Sequence, residues 1–432
     1  MPYFDELQRK VGRLLEWADV RHEQGVKVAP KIARLIKQVQ ATQRQLEKAA
    51  PSAAIRGNEP NDLPCIRAAR PDGPRRLWNH FDAGLYAQKV AGAWLARAAG
   101  CTLGAPVEGI AIEAMRDLAK HGGADFPPTD YWPAVNFPYT KHYGFDPKEM
   151  YTRSKVRYIP VDDDLAYTLL GLLILEDFGP GFTTGDVGEA WLKYLPVACT
   201  AERAALDNLK AGVSWRQAAV KGNPWMEWIG ADIRSDPWGY AAPGWPEKAA
   251  QLAYRDAYLS HRYNGIYGEM YFSAVIAAAF AVDDPLEACR IGLTEIPCRS
   301  RLFQDITWAL RQASKVKDHV HGRGLVDRRF KGMSIVHTNN NACLTIFGLA
   351  LGGRDVTKVI GNTVAMGMDN DCTGATAGSI VGAVVGLAGV PEHWHKPFGN
   401  RCRTYLKGHE WFRNTDIINR FTRVAAKVWQ EA

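Results

Sequence analysis

Residues 366–390 read MGMDNDCTGATAGSIVGAVVGLAGV. Asp369 and Asp371 stand two residues apart ahead of an apolar segment, and Gly374, Gly378, Gly382 and Gly386 follow at a spacing of four. On an α-helix that spacing keeps all four glycines on nearly one face. An interior glycine weakens a helix by roughly 1 kcal/mol against alanine. A helix that carries four of them needs close backbone approach by a neighbour. The stretch therefore predicts a deeply packed helix with an acidic cluster at its N-terminal mouth. Capping of the helix dipole is the plain reading of the two acids. An EF-hand loop also fits Asp369, Asp371, Thr373 and Gly374, but position 12 of such a loop is a bidentate Glu and here it is Ile380.

A second acidic run lies far upstream. Asp162, Asp163 and Asp164 follow Pro160 and open a helix whose apolar residues continue through Leu175, with Gly179-Pro180-Gly181 stopping it. Two unit charges ~4 Å apart repel by roughly 1 kcal/mol in water and about 4 at a partly buried site. Capping rewards one or two of these carboxylates, not three beside so apolar a continuation. A bound divalent ion with oxygen ligands would remove the conflict. A third segment, residues 83–109, carries Gly92, Ala96, Gly100 and Gly104 at the same spacing of four, then Pro106 and Glu108. The run at 162–164, the pair at 369 and 371, and Glu108 together make a candidate carboxylate cage at converging helix ends. The competing reading of the run is a solvated acidic helix start.

Composition bounds the rest. The chain has 432 residues, 47% hydrophobic and 23% charged, with a formal charge of +7, which is ordinary for a soluble globular protein. No long Lys/Arg block suggests a nucleic-acid arm. The eight cysteines contain no CxxC pair, so a zinc ribbon or thioredoxin motif is unsupported and a reducing, cytoplasmic home is expected. The longest apolar run, 379–390, falls short of the ~20 residues of a spanning helix. The N-terminus lacks the apolar core of a signal peptide.

Along the chain, Phe4, Leu7, Val11, Leu14 and Leu15, and then Ile32, Leu35, Ile36, Val39 and Leu46, recur at helical spacing. They predict a helical hairpin packed on the main body. Residues 51–76 read as an irregular linker, giving an N-terminal extension over 1–76 and a main domain over 77–432. Two aromatic loops are expected, at 121–160 and 222–247, and helices near 186–220, 248–260, 267–282, 284–292 and 298–318. Residues 322–332 read as a turn-rich connector. Period-two alternation is nearly absent, so the expected fold is all-α.

DDDLAYT at 162–168, DNDCTGATAG at 369–378 and GCTLGAPVEG at 100–109 resemble, in order, the signature regions of the ADP-ribosylglycohydrolase family. Segments at 228–244, 259–280 and 337–342 resemble a bacterial branch of it. The resemblance implies a compact all-α catalytic domain with a binuclear magnesium site, manganese being an alternative. It implies Asp162, Asp163, Asp164, Asp369, Asp371 and Thr373 as metal-site residues, with Asp162, Leu165 and Cys372 standing where the usual motifs have threonine. It implies Glu108, then Asp163, as the base. It also puts Gly104, His261, Asn264, Gly265 and Gly374 beside the substrate, although His261 and Asn264 read by residue type as hydrogen-bonded structural residues.

The activity so implied is hydrolysis of the glycosidic bond at the ribose anomeric carbon of an ADP-ribose conjugate or a smaller ribosylated molecule. No nucleic-acid or membrane partner is expected. The alternative is a catalytically inactive ADP-ribose-binding or structural member of the same fold.

Overall fold

The two small-residue ladders of the sequence pair with each other. The computed structural model describes residues 3–134, 141–142 and 146–431. In it, the helix Ala83–Gly104 lies antiparallel to the helix Asn370–Val385. Gly92 meets Gly382 and Gly386, Ala96 meets Gly378, Gly100 meets Gly374, and Gly104 meets Asn370 and Asp371. A methyl group on Gly100 would overlap the carbonyl of Gly374, and one on Gly378 would overlap that of Ala96. The close approach is therefore backbone on backbone, which is what the glycines permit. Antiparallel pairing sets the end of the first helix, with Glu108 four residues beyond it, against the start of the second.

Around this pair pack helices that are apolar on every face, as fully buried helices are. Asn264–Ala279 is buried throughout, Asp163–Phe178 as far as Leu175, and Thr338–Gly352 as far as Leu349. The fold is all-α. The strands among the described residues form two small antiparallel pairs, one of them Arg401–Arg403 with Trp411–Arg413. Ile159 bridges to Cys402 and holds the chain extended just before the acidic helix.

Several expectations need correction. Residues 322–332 are not a connector: His319–Arg329 is a helix, begun by Asp318, whose carboxylate accepts from the His321 amide at 2.8 Å. Residues 51–76 include two short helices, Ala53–Asn58 and Leu63–Ala69, capped by Ser52 and Asp62. The loop at 222–247 contains the helix Asp236–Ala241. Within the aromatic loop at 121–160, residues 135–140 and 143–145 lie outside the described residues.

The N-terminal helices form as expected, α1 over Asp5–Glu23 and α2 over Ala29–Lys48, but neither buries a single residue. Their apolar stripes do not pack on the body. Attachment comes from the residues on either side: the Tyr3 ring lies against Gly332, and polar contacts follow α2. Glu59 is buried and accepts from the Arg301 guanidinium and the Asn264 amide, while Arg70 and Arg75 both pair with the buried Glu295.

Candidate active site

The crossing of the two ladders assembles the acids. Asp369 stands immediately before the Gly-rich helix and Asp371 lies in its first turn. Asp162 caps the acidic helix, accepting from the Asp164 amide at 2.9 Å. Asp164 is tied down by Arg97, whose guanidinium donates to its carbonyl at 2.9 Å, reaches its carboxylate at 3.5 Å and pairs with Asp236 at 2.6 Å. Arg97, Asp164 and Asp236 are all fully buried.

Three overlapping triads result. Glu108, Asp369 and Asp371 form one; Asp164, Asp371 and Cys372 the second; Cys101, Asp162 and Asp164 the third. Within each triad the potential ligand atoms lie within 4.8 Å of one another. Asp371 and Asp164 are each shared by two triads, so the groups form one continuous acidic site rather than three. Asp163 falls in none of these triads, and it acts on the half-buried Cys199. Burial, followed by the charges of Asp163, Glu202 and Glu108, pushes that thiol up to about 12.

The electrostatics are compatible with a bound cation. Burial first, then the charge of Asp162, pushes Asp164 well above the usual carboxylate range. Burial and Asp371 do the same to Asp369. Left to themselves these acids hold protons, because several buried like charges cannot all ionise. The donor set suits a hard ion: carboxylate oxygens dominate, and the buried Thr373 hydroxyl has no hydrogen-bond partner among the described residues. The Cys101 and Cys372 thiols are also pushed well up, by burial first, and a neutral thiol is a poor magnesium ligand. The Cys372 thiol instead donates to Asp164 Oδ2 at 3.2 Å.

The residues expected beside the substrate are packed in the body. Gly104 and Gly374 face the helix crossing, where a Cβ would strike Asp371 backbone and Val364 respectively. They serve close packing. Gly265 is packed under the Met226 carbonyl and the His261 ring. His261 is fully buried, bonded to Ser260 at 2.8 Å, with Nε2 3.9 Å from Glu202. Asn264 is spent on Glu59, Glu227 and the Leu302 amide. His337 caps the helix Thr338–Gly352.

Two residues near the acids were missed. Arg97 had a signal, being the lone charge in the apolar part of its helix. Lys148 had none, since it lies in an aperiodic loop. It is buried, donates to the Pro106 carbonyl at 2.9 Å, and feels the charges of Glu108 and Asp371.

A family model described as ADP-ribosylglycohydrolase matches residues 83–429. The chain belongs to the ADP-ribosylglycohydrolase family. The match begins at the small-residue helix and takes in every triad. A comparison with curated proteins found no match. Among solved structures, one described as an ADP-ribosylglycohydrolase-related protein complex aligns at 18% identity and a TM-score of 0.48, over 80% of this chain and 99% of that one. The ADP-ribosylglycohydrolase match leaves α1, α2 and residues 51–82 outside it. No helix among the described residues is long and apolar enough to cross a membrane.

Proposed function

We propose that the chain is a magnesium-dependent glycohydrolase that cleaves the bond at the anomeric carbon of a ribose in an ADP-ribosylated or ribosylated substrate. The observation that carries this reading is the continuous acidic site at the mouth of the Gly-rich helix, in a chain of this family. Asp162, Asp163, Asp164, Asp369, Asp371 and Thr373 would hold the metal. A bound divalent ion would supply Lewis acidity and fix vicinal ribose hydroxyls in place.

The chain's own residues do the rest. Glu108 is half-buried at the edge of the site, is the acid least enclosed by others, and accepts the proton of the attacking water. Asp163, outside the triads, is the second candidate for that role. Attack at the anomeric carbon breaks the glycosidic bond through an oxocarbenium-like transition state, and the carboxylates around it stabilise the positive charge that develops. Arg97 keeps Asp164 in place from behind and touches no substrate.

The test is release of ADP-ribose from arginine-linked and serine-linked peptides and from ADP-ribose 1″-phosphate, after chelation and with magnesium restored. Magnesium-dependent release from any of them supports the reading. Tight ADP-ribose binding without turnover of any substrate would replace it with a binding role for the same fold.

A further inference from the structure

The region outside the family match carries the strongest surface anomaly in the molecule. Nineteen large hydrophobic residues are exposed among the described residues, and twelve of them lie between Tyr3 and Leu46. Leu7 is 60% exposed, Trp17 60%, Val39 57% and Leu46 71%. Together the twelve present roughly 1,000 Å² of apolar surface, against the ~800 Å² each partner gives to a standard interface. Single exposed leucines need no explanation, but so many on two successive helices mark an interaction site.

The spacing specifies what covers it. Phe4, Leu7, Val11, Leu14 and Ala18 on α1 follow steps of three and four, as do Val28, Ile32, Leu35 and Val39 on and just before α2. That is the seam of helix-on-helix packing with interlocking side chains. Of the apolar residues from Phe4 to Leu46, none is buried and only Ala18, Val28, Ile32 and Leu35 are partly buried. The arm is also mounted at both ends: the Tyr3 ring lies against Gly332, and the chain after α2 runs to the buried Glu59.

We infer that this arm joins two copies of the chain, the apolar face of α1 and α2 packing on the same face of a second copy to make a four-helix bundle. The charges set the arrangement. α1 carries five acidic and four basic residues; α2 carries five basic and one acidic. Packing α2 on α2 would oppose two basic helices. Packing α1 of one copy on α2 of the other pairs unlike charge, and two-fold symmetry makes that contact twice. A membrane surface fits less well: a helix lying on anionic lipid has a polar face rich in Lys and Arg, which suits α2 but not α1, whose charges are mixed.

The experiment is sedimentation equilibrium of the full chain, beside the double variant Leu14→Glu/Val39→Glu. Both sites are exposed in the single copy, so the body should melt unchanged. The expected result is twice the monomer mass for the wild type and self-association weakened at least about tenfold in the variant. A single exchange, Lys37→Glu, should also weaken the dimer. A wild type that stays monomeric at micromolar concentration overturns the inference. So does a double variant as dimeric as the wild type, or a monomer that floats with phosphatidylserine-containing vesicles through the same residues.

Discussion

The thiol of Cys372 donates to Asp164 Oδ2 across 3.2 Å, joining the first turn of the Gly-rich helix to the first turn of the acidic helix. Cys372 therefore points into the acidic site and is no filler. Replacing it by threonine puts a hard oxygen donor where a soft neutral one stood. Cys372→Thr should keep the fold and bind magnesium at least as tightly as the wild type. Calorimetric titration of both proteins checks this, and complete loss of binding in a folded variant would contradict it.

Asp371 is shared by two triads, so Asp371→Asn should abolish metal-dependent turnover while the helices stay intact. The control is Asp177→Asn. Asp177 bonds Lys193 and Tyr194 at the surface, and breaking such a pair costs under about 1 kcal/mol. Turnover by the Asp371 variant equal to that of the control removes Asp371 from the site.

The raised carboxylates fix the sign of the pH dependence. Asp164 and Asp369 sit well above their usual 3.8 when folded. Between that value and the raised one, the folded chain holds protons the unfolded chain has released. Stability of the metal-free protein then falls as pH rises through this window. The buried Asp232 and Glu269 act in the same direction. Melting should be earlier at pH 8 than at pH 5 after chelation, and millimolar magnesium should remove most of the difference by binding the folded form. A metal-free melting temperature that climbs from pH 5 to pH 8 would be the wrong sign.

The glycine ladders give a stability test with its own internal contrast. Gly100→Ala drives a methyl into the Gly374 carbonyl and should cost about 1–3 kcal/mol or more, since backbone has nowhere to move. Gly12→Ala, in exposed α1 with nothing within 4 Å, should add about 1 kcal/mol to the helix propensity of α1 and leave the unfolding of the body unchanged. Denaturant unfolding of the two variants separates packing from propensity.

The ladders and acids were legible because each obeys a local rule: spacing of four for the first, charge repulsion at a helix start for the second. What the spacing did not reveal was that the two ladders are each other's partners. Gly104 and Gly374 belong to the crossing, which a one-dimensional pattern cannot show when its halves lie so far apart. The expected packing of α1 and α2 failed for a related reason. An apolar stripe says that something covers it and not whether the cover belongs to the same chain. Glu59 was invisible because a charged residue in a polar stretch gives no sign of burial until its partners, Arg301 and Asn264, are placed.

The antiparallel ladder also dictates the order in which the protein can mature. Glu108 and Asp164 leave the ribosome long before Asp371. At about 5–20 residues per second the interval is on the order of ten to forty seconds. Through that time the nascent chain holds the residues of only one triad, Cys101, Asp162 and Asp164, and lacks the two that need Asp371. Contacts of such long sequence separation are slow to close. Two of the three triads are therefore completed only late in biogenesis, when the Gly-rich helix docks, and a chain truncated before that helix keeps only the third.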